Sequence, residues 1–183
     1  MDRVAARTPT PGGGSVAALA GALAVALAQM VLAYSAPSGS SAPALAGLSA
    51  ELGAARARFA ALADEDSAAF EALRESRKAR RAAPEDAPAA RAWELALRRA
   101  AEVPMETARL ARRLEQQIEL HRSATKASVG SDLVSALALL RSAREGALAN
   151  VAINVEEIAA AGLPHADLSA EAERISGPSN EPA

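Results

Sequence analysis

The chain carries one almost unbroken run of apolar residues near its N-terminus, at residues 16–34. Directly before it, residues 9–15 read Pro-Thr-Pro-Gly-Gly-Gly-Ser (the glycine loop). Proline and glycine do not propagate a helix, so we predict an ordered turn there. Ser15 is predicted to cap a long helix over residues 15–35. This helix is apolar on every side, which predicts that it is buried on all sides.

The first predicted helix has two different apolar sides. Small residues recur at spacings of three and four along one side, and larger residues lie along the other. The small side consists of Gly14, Ala17, Ala18, Gly21, Ala24 and Ala28, and the larger side of Val16, Leu19, Leu23, Leu27 and Met30. Small side chains allow another helix to approach closely. That helix belongs either to the same chain or to a second subunit, and the sequence favours neither.

Four further helical patterns follow, separated by breaks rich in proline, glycine or serine. We predict helices over residues 44–80, 89–102, 104–122 and 131–161, with a polar loop at 123–130. Pro104 separates the third helix from the fourth, because proline lacks a backbone donor and clashes with the preceding turn. Gly162 and Pro164 end the last helix.

The pattern predicts one all-α domain. Its helices form an up-and-down-like bundle of five to seven members with long first, second and last helices, and we expect a dimer. The domain covers residues 1–176, and residues 177–183 are predicted to be a disordered tail.

Composition supports close helix packing and narrows the chemistry. Half of the 183 residues are hydrophobic but only four are aromatic, so alanine and leucine must form most of the core. The chain has no cysteine, which excludes disulfides, thiolate catalysis and cysteine-bound metal centres. A formal net charge of −2 gives no overall field for nucleic acid or an anionic membrane.

The run at residues 16–34 is long enough to span a membrane, and Arg3 and Arg7 precede it as in a signal peptide. However, the glycine loop separates these charges from the run, which is mostly alanine and contains Gln29. We therefore interpret the run as a buried helix.

A basic cluster ends the second predicted helix, where the helix dipole favours cations. It consists of Arg77, Lys78, Arg80 and Arg81. No aromatic residues stand close by in the sequence to stack on bases, so we interpret the cluster as a solvated helix end.

Three groups of polar residues are candidates for a functional site. The glycine loop exposes backbone N–H groups where anions bind, although a tight turn with a cap explains it as well. Ser131 and Asp132, with Lys126 upstream, begin the last helix. Asp132 can act as a general base or as the partner of a cationic intermediate, although helix capping is the alternative. Asn150 and Asn154 share one helix face and serve either a ligand or cross-helix hydrogen bonds.

Asp132 and Asn150 lie on the same face of the last helix, but roughly 27 Å apart along its axis. They cannot meet around one small ligand within a single chain. Either the ligand is long, or the asparagines are structural, or two antiparallel copies of the helix join these ends in a dimer. The two histidines, His121 and His165, have no carboxylate at ligand spacing, so no metal site is predicted.

Five motifs occur in order along most of the chain. They are the glycine loop with the helix start after it, Asp-Glu-Asp-Ser-Ala-Ala-Phe at 64–70, Ala-Glu-Val-Pro-Met-Glu-Thr-Ala at 101–108, Ser131-Asp132, and Gly-Ala-Leu-Ala-Asn-Val-Ala-Ile-Asn-Val at 146–155. Together they resemble the cyclodeaminase/cyclohydrolase family. Its members include the cyclodeaminase domain of formiminotransferase-cyclodeaminase and bacterial methenyltetrahydrofolate cyclohydrolases.

The resemblance implies a cytoplasmic, all-helical homodimer that acts on a tetrahydrofolate-bound one-carbon unit, as a cyclohydrolase or a cyclodeaminase. It implies no cofactor beyond the folate substrate, and neither nucleic acid nor a membrane as partner. Asp132 would be catalytic, because a carboxylate can stabilise or deprotonate a cationic amidine-like centre. The implied substrate contacts are Gly12, Gly13, Gly14, Ser15, Lys126, Ser131, Asn150 and Asn154.

The sequence departs from the family pattern at two places, and the first of them motivates an alternative. Thr125-Lys126 stands where family members commonly carry Gly-Asn, and only residues 1–7 stand where a helix commonly precedes the glycine loop. The alternative is a non-catalytic folate-binding or scaffold dimer of the same fold.

Overall fold

The computed structural model describes residues 1–35 and 42–177. All regular secondary structure within these ranges is helical, which confirms the predicted all-α class. The helices are α1 (Asp2–Ala5), α2 (Gly13–Ser35), α3 (Ala42–Ala82), α4 (Ala87–Leu120), α5 (Gly130–Ala160) and α6 (Ala166–Ser176). Two short 3₁₀ turns, Arg122–Ala124 and Ala127–Val129, occupy the predicted polar loop.

The four long helices form a ring in which each packs on two neighbours. Helix α2 packs on α3 and α5, and α4 packs on the same two helices from the opposite side. Consecutive helices run antiparallel, as the prediction of an up-and-down bundle requires. Helix α6 packs against α4 and α5. The predicted break at 36–43 lies mostly outside the described residues, and so do residues 178–183 of the predicted tail.

The small side of α2 faces the interior of the same chain. Gly21 lies against the buried ring of Phe59 on α3, and Ala17 lies against Gly146 on α5. The close neighbour that the sequence left open is therefore intrachain. Glycine and alanine at these positions let α3 and α5 approach the α2 backbone closely. A core with few aromatic residues needs such close approach, because small side chains alone would leave empty space between the helices.

The larger side of α2 faces outward, so the prediction that this helix is buried on all sides is wrong for the single chain. Val16, Leu19 and Leu23 are exposed, Leu23 to 64 %. By length and composition, α2 is apolar enough to cross a membrane, and 44 % of its 18-residue apolar window is buried inside the protein. A core helix of a soluble protein meets the same criterion.

Helix α4 is longer than predicted. The sequence predicted two helices with a break at Pro104, but Ala87–Leu120 is one helix with Pro104 inside it. Asp86 begins it, because its side chain accepts a hydrogen bond of 3.0 Å from the Ala89 N–H. A side chain of α5, that of Asn154, lets α4 continue through the proline by donating to the Ala100 carbonyl.

Ion pairs connect α3 to α4 along the outside of the bundle. The guanidinium group of Arg58 donates to Glu65 on its own helix and to Glu106 on α4, the latter at 2.6 and 2.7 Å. These bonds hold the pKa values of both carboxyl groups below their ordinary range. The side chains are about one-third exposed, so solvent screens much of this attraction.

Candidate active site

The start of α2 is completed by a carboxylate from another helix. Asp66 on α3 accepts a hydrogen bond from the Ser15 hydroxyl at 2.9 Å and another from the Ser15 backbone N–H. Ser15 also lies 3.0 Å from the Ser67 hydroxyl. Helix α2 begins at Gly13, so Ser15 lies inside it, and the prediction that Ser15 caps the helix is wrong. The cap is tertiary, because the Asp66 carboxylate takes up a free N–H at the positive end of α2.

Gly14 makes this contact possible. A Cβ atom at Gly14 would lie 2.1 Å from Asp66 Oδ1, far inside van der Waals contact. Any other residue would push the carboxylate away from the helix start and break its bonds to Ser15. The glycine loop therefore provides a close approach for a carboxylate of the same chain.

Of the carboxyl groups near the start of α2, that of Asp66 is the best candidate for proton transfer. Burial raises its pKa above the ordinary value, while the two bonds from Ser15 partly oppose that rise. A carboxyl group with a raised pKa can both donate and accept a proton under mild conditions, which is what general acid–base catalysis needs.

Asn150 on α5 completes the site from the other side. A Cβ atom at Gly13 would lie 3.1 Å from Asn150 Nδ2, so the amide lies close to the α2 start. This nitrogen donates to the Gly146 carbonyl at 2.8 Å. The structure thus brings together Gly13, Gly14, Ser15 and Asn150 from the predicted set and adds Asp66, with Gly12 half-buried next to them.

The remaining predicted group lies at the opposite end of the bundle. The backbone N–H of Lys126 donates to the Ser35 hydroxyl at 3.0 Å, which places the start of α5 beside the end of α2. Ser131 is exposed and Asp132 partly exposed there. Asp132 lies roughly 27 Å from Asn150 along α5. Because α2 and α5 run antiparallel, Asp132 lies beside the end of α2, whereas Asn150 lies beside its start. One chain does not bring Asp132 to the glycine loop.

The acidic triplet of α3 consists of Asp64, Glu65 and Asp66. The three side chains lie in different environments. Asp64 is exposed, Glu65 pairs with Arg58 and Arg99, and Asp66 caps α2. Among residues 1–35 and 42–177, no three histidine or acidic side chains cluster in a way that could hold a metal ion.

A family model described as formiminotransferase-cyclodeaminase matches residues 1–172 of the chain. The chain belongs to the formiminotransferase-cyclodeaminase family. Its fold is similar to the crystal structure of formiminotetrahydrofolate cyclodeaminase from Thermotoga maritima, with a TM-score of 0.83 and 29 % identity over 95 % of this chain and 84 % of that one. No curated protein sequence matches the chain.

In this family member, Asn154 has a structural explanation. Pro104 has no N–H, so the Ala100 carbonyl one turn earlier in α4 lacks its helical donor. Asn154 Nδ2 donates to this carbonyl at 3.0 Å and also to the Asn150 carbonyl at 2.9 Å. The amide therefore satisfies the backbone group that the proline leaves free, and α4 continues as one helix.

Replacing Asn154 with leucine is expected to lower the free energy of unfolding by about 1–3 kcal/mol, because the buried Ala100 carbonyl loses its donor. Urea denaturation checks this. In the background of Pro104→Ala, residue 104 regains an N–H for Ala100, so the same leucine substitution should cost less. Equal costs in the two backgrounds would rule out this role of Asn154.

Proposed function

We propose that this family member is a folate one-carbon enzyme that acts on a tetrahydrofolate-bound one-carbon unit. It would work as a formiminotetrahydrofolate cyclodeaminase or a methenyltetrahydrofolate cyclohydrolase, in the cytoplasm and without a further cofactor. Family membership and the likeness to the Thermotoga maritima cyclodeaminase support the substrate class. The observation that carries the proposal is the Asp66 carboxyl group held against Gly14 and Ser15 opposite Asn150.

The arrangement suits the chemistry of either reaction. In the cyclodeaminase reaction, N10 of the folate forms a bond to the formimino carbon and the bond to the imino nitrogen breaks. N10 loses a proton, and the departing nitrogen leaves as ammonia after gaining protons. A single carboxyl group can take the first proton and supply one to the leaving group. Its ionised form stabilises the cationic amidine-like carbon between these steps.

Two substrates distinguish the candidate activities. Purified protein is mixed with 5-formiminotetrahydrofolate, and methenyl absorbance and released ammonia are followed together. Methenyltetrahydrofolate hydrolysis is followed as loss of the same absorbance, above the uncatalysed rate. Turnover of only one substrate identifies the enzyme. Turnover of neither, with folate binding retained in a titration, supports the non-catalytic alternative suggested by Thr125-Lys126.

We also propose a homodimer whose interface is the exposed side of α2. Exposed apolar side chains occur from the start of α2 to its end, at Val16, Leu19, Leu23 and Tyr34. A continuous apolar face of this kind marks an interaction surface. A two-fold axis perpendicular to α2 would place the two copies of this helix antiparallel. The start of one copy then lies next to the end of the other, beside which α5 begins. Asp132 of one subunit would thereby approach the glycine loop of the second.

Leu23→Glu is expected to turn the dimer into a monomer, because it places a charge in the middle of this apolar interface. Sedimentation velocity at micromolar concentration measures the change. Leu95→Glu on α4 is the matched control, since Leu95 is 62 % exposed and lies outside α2. A dimer that survives Leu23→Glu but not Leu95→Glu would place the interface elsewhere.

A further inference from the structure

Ser67 on α3 follows Asp66 directly in the sequence and has no role in the proposed reaction so far. Its side chain is half-buried, and its hydroxyl lies 3.0 Å from the hydroxyl of Ser15. Ser15 is only 1 % exposed, and its own hydroxyl reaches Asp66 Oδ2 at 2.9 Å. The two serines and the carboxyl group therefore form one hydrogen-bonded chain between α2 and α3.

The chemistry of the three groups fixes the direction of this chain when Asp66 is ionised. A carboxylate only accepts hydrogen bonds, whereas a hydroxyl has a single proton to donate. Asp66 takes the Ser15 proton, so the proton between the two serines must come from Ser67. Ser67 thus donates to Ser15, and Ser15 donates to Asp66.

This orientation differs from that of other helical serines in the chain. A serine in a helix commonly donates to the backbone carbonyl three or four residues earlier. Three serines do so here at 2.9–3.0 Å, namely Ser76, Ser135 and Ser142. Ser67 also approaches the Ala63 carbonyl, but at 3.5 Å, which is longer than its contact with Ser15. Without Ser67, the Ser15 hydroxyl would be free to turn toward a carbonyl of the preceding turn.

The bonds from Ser15 are the main polar influence on Asp66. Burial raises the pKa of Asp66 and the side-chain and backbone bonds from Ser15 lower it, while no charged side chain of the described residues adds to these causes. Helix α2 has no charged residue, and α5 approaches with the uncharged Asn150. On α3, Asp64 is exposed and Glu65 pairs with two arginines. The orientation of one hydroxyl therefore has a large effect on this carboxyl group.

We propose that Ser67 and Ser15 are positioning residues that act on the reaction through Asp66. Ser67 holds the Ser15 hydroxyl as a donor, and the bond from Ser15 fixes the orientation of the carboxyl group that transfers the proton. Neither hydroxyl has to touch the substrate, in agreement with the burial of Ser15. This inference rests on the proposed function, which makes Asp66 the proton-transferring group.

Ser67→Ala should lower kcat for the folate substrate about tenfold and change KM less than about twofold, because only the carboxyl orientation is disturbed. Ser67→Thr keeps the hydroxyl and should restore most of the lost kcat. Ser15→Ala should lower kcat at least as much, and adding Ser67→Ala to it should cause no further loss, because the chain is already interrupted. Ser76→Ala is the matched control with wild-type kcat, since Ser76 is also half-buried on α3 but donates to its own helix.

A second measurement does not depend on turnover. Carbon NMR follows the Asp66 carboxyl group as a function of pH in the whole protein without ligand. The titration midpoint should move upward in Ser67→Ala and in Ser15→Ala, because the bond that both variants disturb lowers the pKa of Asp66. In the Ser15→Ala background, adding Ser67→Ala should leave the midpoint unchanged.

Wild-type kcat in Ser67→Ala would overturn the inference, and so would losses of kcat that multiply in the double variant or an unchanged midpoint in Ser67→Ala. If wild type turns over folate while Ser67→Ala keeps both its kcat and its midpoint, only the positioning inference fails. If wild type turns over neither folate substrate but the midpoints shift as expected, the proposed function fails and the control of Asp66 by Ser67 stands.

Discussion

Asp66→Asn is expected to lower folate turnover by about 10²–10⁴-fold without unfolding the protein. Asparagine has the size of aspartate, and its oxygen can still accept the backbone N–H of Ser15. It cannot transfer a proton, so the chemical step is lost. Steady-state absorbance assays measure the change. Asp64→Asn is the matched control, because Asp64 is exposed on the same helix two residues earlier.

The same variant has an expected pH dependence of stability. Burial raises the pKa of Asp66 in the folded state above its ordinary value of 3.8, so folding favours the protonated form. That contribution is fully present below the unfolded-state pKa and is lost as the pH rises through the folded-state pKa. Asp66→Asn does not titrate, so its stability relative to wild type should increase from pH 3 toward neutral pH. Urea denaturation across about pH 3–7 tests this sign.

Asp132 remains the catalytic residue predicted from the motifs, and mixed dimers test how it relates to Asp66. On the proposed dimer, Asp132→Asn also abolishes turnover because it acts in the second subunit's site. Equal amounts of the two inactive variants, unfolded and refolded together, should then regain about one quarter of wild-type activity, since half the dimers are mixed and each holds one intact site. Full activity of Asp132→Asn alone would remove it from the mechanism. Two inactive variants without recovery would contradict a shared site.

Gly21→Ala is expected to lower the free energy of unfolding by about 2 kcal/mol and Tm by about 4–8 °C. The new Cβ atom would lie 2.6–2.8 Å from three atoms of the Phe59 ring, which is fully buried and cannot turn away into solvent. The bundle must open at this crossing of α2 and α3, which outweighs the gain in helix propensity that alanine brings. Thermal and urea denaturation measure both quantities.

Gly47→Ala is the control for that prediction. A Cβ atom at Gly47 of α3 would meet no atom within 4 Å, so the substitution should stabilise the protein by up to about 1 kcal/mol through helix propensity alone. Phe59→Leu provides a second check, because a smaller side chain leaves room at residue 21. In that background, Gly21→Ala should cost less than in wild type. Equal destabilisation in both backgrounds would show that the Phe59 contact is not the cause.

The glycine loop shows which parts of the candidate site can be predicted from local sequence. Its prolines and glycines correctly predicted a break before a long helix, and the motif predicted that these residues matter. The sequence did not reveal that Asp66, about fifty positions later, approaches Gly14 and replaces Ser15 as the cap. Three acidic residues in a row look alike by composition, and only the rotation of α3 against α2 separates exposed Asp64 from half-buried Asp66.

Hydrophobic periodicity and turn residues by themselves determined the all-α class, the long helices α2, α3 and α5, and the end of α5 before Gly162. These features depend on neighbours within a few turns. Tertiary structure alone decided three others. Helix α4 passes Pro104 because an asparagine from α5 reaches the free carbonyl. The small side of α2 faces inward because Phe59 packs onto Gly21. The arginines that end α3 form a cavity because Trp93 and Glu157 meet them from two other helices. Each depends on side chains distant in sequence, whose meeting is set by how the helices pack.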